Sequence, residues 1–73
     1  MDFLTRYATE ISSQLNGELS PEVIQESLSN IVSREIGFWQ NDFQKTMEAE
    51  MLIVNTLFTV KREDLKDFIL QNL

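Results

Sequence analysis

The chain has 73 residues, with 12 acids against 6 bases, no histidine and no cysteine, for a formal charge of −6. That length holds one domain, and its core leaves a net stability of only ~3–5 kcal/mol unless something reinforces it. Without cysteine there are no disulfides or thiolate metal sites, without histidine there is no usual zinc ligand or neutral-pH general base, and oligomerisation is the reinforcement left.

Apolar residues follow the helical period along most of the chain. In residues 2–15 the stripe is Phe3, Leu4, Tyr7, Ile11 and Leu15, with Arg6, Thr9, Glu10 and Ser13 facing away. Asn16-Gly17 ends that helix, because both residues tolerate the left-handed backbone of a C-cap. Ser20-Pro21-Glu22 opens a second helix over residues 21–36: the serine caps free amides, the proline loses no needed N–H, and the glutamate suits the positive helix end. Its stripe is Ile24, Leu28, Ile31 and Val32, with Ile36 at the margin before Gly37.

The third helix is the longest, predicted over residues 38–58 with a stripe of Trp39, Phe43, Met47, Met51, Val54, Leu57 and Phe58. Ile53, Val54, Thr56, Thr59 and Val60 would also suit a strand, but the unbroken spacing from Trp39 favours helix. Thr59 is the candidate N-cap of a last helix over residues 60–72, with Glu63 and Asp64 near its start and Leu65, Phe68, Ile69 and Leu73 on its inner face. Short loops make neighbouring helices antiparallel. The prediction is one all-α, four-helix bundle-like domain spanning residues 1–73.

The apolar material exceeds what four stripes use. Leu19, Val23, Phe38, Leu52, Ile53, Val60 and Leu70 fall off them, and Leu52 projects about 160° from the centre of its helix's stripe at 3.6 residues per turn. The segment from Met51 to Phe58 is therefore apolar nearly all round, which requires a central position or cover from another chain. The methionines at 47 and 51 would let such a surface adapt to its ligand. Two acids break the pattern. Glu35 projects close to the stripe of the second helix, and Glu50 projects between Phe43 and Leu57. Each either stands at a stripe's edge, where it reaches solvent or pairs with Arg34, Arg62 or Lys45, or accepts a basic side chain from a partner and fixes register. As an acid/base pair they would need a substrate cleft that so small a bundle has little room for.

No segment is basic: residues 1–36 carry six acids and two bases, and residues 59–73 three of each. Phosphate and anionic lipid are repelled, so neither nucleic acid nor a membrane surface is expected as a partner. No apolar run reaches ~18 residues, the minimum for a span. Met1-Asp2-Phe3-Leu4 lacks the features of a secretion signal, which predicts a cytoplasmic setting or export by a route that leaves no such mark. No serine lies in a Gly-x-Ser-x-Gly turn, Gly17 and Gly37 stand alone, and the acids at 22/26 and 63/67 read as solvated helix faces. The expectation is no enzyme, no cofactor and no metal.

Length, acidity and the four-helix plan are similar to acyl carrier proteins, and Thr59-Val60 through Leu65, Phe68 and Ile69 looks like the opening of their last helix. That resemblance implies an Asp-Ser-Leu opening the second helix, whose serine holds a phosphopantetheine arm. The nearest match, Glu26-Ser27-Leu28, lies inside a helix already begun at Pro21. The general character also resembles the small chaperones of bacterial type III secretion, which hold an amphipathic helix in a groove. The residues themselves favour a small acidic interaction module, a homodimer and/or a receptor for a partner's amphipathic helix, contacting through Trp39, Phe43, Met47, Glu50, Met51, Leu52, Ile53, Val54, Leu57 and Phe58. The alternatives are an acyl-carrier-like protein and an acidic inhibitor of a basic or nucleic-acid-binding target.

Overall fold

The computed structural model describes residues 2–37, 39 and 42–73. Among them it has four α-helices: α1 (Phe3–Gln14), α2 (Pro21–Glu35), α3 (Phe43–Thr59) and α4 (Leu65–Gln71), with a 3₁₀ turn over Arg62–Asp64 leading into α4. The radius of gyration, 11.6 Å, is close to the ~11 Å of a compact chain this long. No helix among the described residues is long and apolar enough to cross a membrane.

The helix boundaries follow local chemistry. Asp2 caps α1, its carboxylate accepting the Thr5 amide at 2.9 Å. Asn16 and Gly17 take positive φ, 57° and 75°, and reverse the chain as their sequence predicts. Ser20 accepts the Val23 amide at 3.3 Å, and Pro21 opens α2. In the loop between α1 and α2, Leu19 offers its carbonyl to the Ser12 hydroxyl at 2.8 Å.

Two predicted boundaries move. The third helix begins at Phe43, not at residue 38, because Asp42 is its cap: backbone extended, carboxylate accepting the Lys45 amide at 3.0 Å. Phe38 lies outside the described residues. Trp39 is therefore no part of the helix stripe. It sits in the connection, buried, with its ring 5.3 Å from that of Phe3 and its carbonyl accepting the Thr46 hydroxyl at 3.1 Å. Thr59 ends α3 instead of capping the last helix, and its hydroxyl donates back to the Thr56 carbonyl at 2.8 Å. Val60 is extended, and α4 starts five residues later than the 60–72 reading, preceded by the 3₁₀ turn that holds Glu63 and Asp64.

α1 and α2 make the most extensive helix pair. Phe3, Leu4, Ile11 and Leu15 meet Ile24, Leu28, Ile31 and Val32 in the core, joined by Leu65 and Ile69 of α4. Leu73, expected on the inner face of the last helix, is half exposed. The seam between α2 and α4 is tied by polar bonds: the Ser27 hydroxyl, fully buried, donates to the Ile69 carbonyl at 2.8 Å, and Asn30 and Arg34 donate to Asn72 at 2.9 Å each.

The largest departure from the sequence reading is the rotation of α3. Its inner side is Ala49 and Ile53, both wholly buried, flanked by half-buried Leu52 and Leu57. The stripe predicted to face the core, Phe43, Met47, Met51, Val54 and Phe58, faces outward. Ala49 is the reason on the packing side: a short side chain lets α3 approach α2, where phenylalanine and methionine would hold it away. The second reason is Glu50, which shares an edge with the outward stripe. Turning that stripe inward would take the carboxylate with it, at a cost of several kcal/mol.

The rotation has a direct test. Ile53→Ala should cost about 3 kcal/mol, as a large-to-small core change does, while Met51→Ala on the same helix should cost less than ~1 kcal/mol in dilute protein. Urea titrations of the two variants giving equal losses would contradict the assignment.

Candidate functional site

The outward side of α3 is a continuous apolar ridge. Phe43, Met47, Met51, Val54 and Phe58 recur at steps of four, four, three and four residues, so at 1.5 Å per residue they line one face for about 22 Å. Phe58 is 90% exposed, Phe43 82%, Met51 65% and Met47 55%. Single exposed apolar residues are ordinary, but a contiguous row containing two nearly bare phenylalanines is more than that background and makes this face the candidate site.

Beside the C-terminal half of the ridge runs a groove of about 510 Å³, open to solvent. Tyr7, Glu10, Ile11 and Gln14 of α1 form one wall, Val54, Leu57 and Phe58 of α3 the other, and Val60, Arg62 and Leu65 close its end. A smaller depression of about 270 Å³ lies along the ridge itself, between Met47, Glu50, Met51, Val54 and Asn55. Ridge and groove together make one apolar surface with polar groups at its borders.

Glu50 stands at the border nearest α1. Arg6 donates to its carboxylate at 3.1 Å and the Tyr7 hydroxyl donates to the same oxygen at 3.2 Å. The Arg6 guanidinium also lies 5.3 Å from the centre of the Tyr7 ring. The cation is thus Arg6, not Lys45 or Arg62 as the sequence suggested, since nothing in the spacing shows that α1 flanks this edge. The pair is half solvated, with side chains 60% and 40% exposed, and such pairs are worth ~0–1 kcal/mol. Glu35 is exposed near the end of α2 and takes no part in the surface.

The ten predicted contact residues divide into three groups. Phe43, Met47, Met51, Val54 and Phe58 form the ridge, and Glu50 its edge. Leu57, half-buried, lines the groove. Trp39, Ile53 and Leu52 pack on the core instead and offer little to a partner. The sequence reading missed the far wall, Tyr7, Ile11 and Leu65, which looked like plain core because only the bundle shows that α3 leaves a gap there. Arg62, named from the sequence only as a candidate partner for the two glutamates, is instead an exposed cation at the groove's end.

Among the described residues no three acids converge as a metal site would require. Ser27, of the Glu26-Ser27-Leu28 segment, is wholly buried with its hydroxyl committed to Ile69, so an arm could be attached there only by opening the core.

Replacing Glu50 by glutamine should change the unfolding free energy by less than ~1 kcal/mol, because a half-exposed ion pair is lost and no buried charge is stranded. Chemical denaturation of the purified chain checks this, and a loss of 3 kcal/mol or more would mean a buried carboxylate. No protein-family model, no curated protein and no solved structure matches the chain.

Proposed function

We propose that this chain is a non-enzymatic protein–protein interaction module that docks a helix on the exposed face of α3. The observation that carries the reading is the ridge from Phe43 to Phe58, apolar, continuous and uncovered, with a groove alongside it. A small all-helical domain with a marginal core gains stability from whatever covers such a face, since burying one phenylalanine or methionine side chain is worth roughly 1.5–3 kcal/mol. The row of side chains at helical spacing suits a helix lying along it, and the methionines suit ligands of differing shape. A chaperone- or adaptor-like role in a cytoplasmic setting fits this chemistry.

The charge distribution supports an apolar contact over an electrostatic one. The excess acids Glu22, Glu26 and Glu35 lie on α2, while α3 packs its Ala49–Ile53 side towards α2 and turns the ridge away. An inhibitor that mimics nucleic acid would concentrate its carboxylates on the contact face instead.

The double variant Met51→Lys, Phe58→Ser tests the reading. It should keep the helical circular dichroism and the core's unfolding behaviour, yet lose the assemblies that wild type forms, alone or in native extract, in sedimentation runs. Assemblies of the wild type should persist at high salt, because apolar contacts are not screened. Dissociation at high salt would favour an acidic mimic, a mass gain with a phosphopantetheinyl transferase and coenzyme A would favour a carrier, and unchanged assembly of the double variant would remove the ridge from the function.

A further inference from the structure

We infer that the occupant of the α3 face is a second copy of this chain, with the two α3 helices antiparallel about a two-fold axis near Met51. This rests on the reading of the ridge as a docking face and names its partner.

Three observations point the same way. The first is the order of the ridge. From either end it reads phenylalanine, a smaller aliphatic or thioether residue, Met51, another such residue, phenylalanine. Antiparallel pairing about Met51 brings Phe43 of one copy to within a residue of Phe58 of the other, and Met47 to within a residue of Val54. An isologous interface needs this property, a surface complementary to itself after half a turn. Parallel pairing would stack like on like and leave the groove of each copy empty.

The second is a knob at one end and a hole at the other. Phe43 projects almost bare from the start of α3, while the groove opens beside Phe58, about 22 Å away along the same face. A helix is the spacer between them. Under the two-fold, each Phe43 arrives at the partner's groove, against the wall built by Tyr7, Ile11 and Leu65. The groove, at about 510 Å³, has room for a phenyl ring and the turn that carries it.

The third is charge. Asp42 is exposed at the Phe43 end of the face, and Arg62 is exposed at the groove end. Antiparallel docking sets each Asp42 near the partner's Arg62. Of the other charges, Arg6 is paired with Glu50 and Lys45 shares α3 with Glu48, which leaves Glu10 on the groove wall as one excess acid there. The net −6 therefore lies mostly away from the contact, and two copies meet without bringing their excess acids together.

The natural chain has no cysteine, so single cysteines report the geometry cleanly. Wild type should sediment as a dimer in the micromolar to millimolar range, and Arg62→Glu should weaken the dimer by about tenfold by placing like charges together. Under mild oxidation Met51→Cys should form a disulfide-linked dimer. Phe43→Cys alone and Phe58→Cys alone should not, whereas an equimolar mixture of these two should link efficiently. Efficient self-linkage of Phe43→Cys and of Phe58→Cys, with none in their mixture, would mean parallel pairing and overturn the proposal. A wild-type monomer throughout that range also overturns it. If that monomer still captures another protein through the ridge, docking on α3 stands and only the second copy is excluded. If the monomer captures nothing through the ridge, both readings fall.

Discussion

The rotation of α3 about its own axis controls both the core and the exposed surface. The helix has apolar side chains around most of its circumference, so hydrophobic burial does not choose strongly between its faces. Turning it would bury Phe43, Met47 and Val54 but expose Ile53 and Leu52, exchanges of similar size at roughly 1.5–3 kcal/mol per large side chain. The choice falls to terms that do not cancel. Ala49 allows close approach to α2, and Glu50 must stay near water. The ion pair with Arg6 is worth little by itself. Its effect comes from avoiding a buried carboxylate, which would cost several kcal/mol.

With α3 so placed, the core is mostly the work of α1 and α2, sealed at one end by the tilted contact between the rings of Trp39 and Phe3 and along one side by α4. α4 is only seven residues long, too short to be stable as an isolated helix. It is held by Leu65 and Ile69 in the core and by the hydrogen bonds that Ser27, Asn30 and Arg34 send to its last turn. The Ser27 and Asn30 bonds go to backbone carbonyls at the helix's C-terminal end, and the Arg34 bond to the Asn72 side-chain oxygen. The serine that sequence likeness put forward for an attached arm is thereby explained as a structural tie.

A domain of this size has no large margin of stability, and two phenylalanines left bare in the folded chain add almost nothing to it in water. The same ridge becomes favourable once covered. Fold stability and association are then linked, since a ligand that binds only the folded form shifts the folding equilibrium in proportion to its concentration over its dissociation constant. The groove between α1 and α3 belongs to the same economy: it exists because α3 leans on α2 and leaves α1 partly open along Tyr7 and Ile11.

The amino-acid order by itself determined the helical class, the start of α2 at Ser20-Pro21, the reversal at Asn16-Gly17 and the buried stripes of α1 and α2, because caps, left-handed turns and single-sided periodicity are local properties. It also showed that the third helix carries more apolar surface than one small bundle shelters. Asp42 is a capping residue type, but the apolar spacing from Trp39 alone set the predicted start of this helix, and the cap became visible only in the structure. Only the tertiary structure decided which side of α3 faces inward, that Trp39 and Ile53 belong to the core, that Arg6 is the partner of Glu50, and that Tyr7, Leu65 and Arg62 border a groove. The second half of α3, apolar nearly all round, carries no clear periodic mark of its inner face, so the packing of Ala49 and the exclusion of one carboxylate from the interior, both contacts between distant parts of the chain, had to settle it.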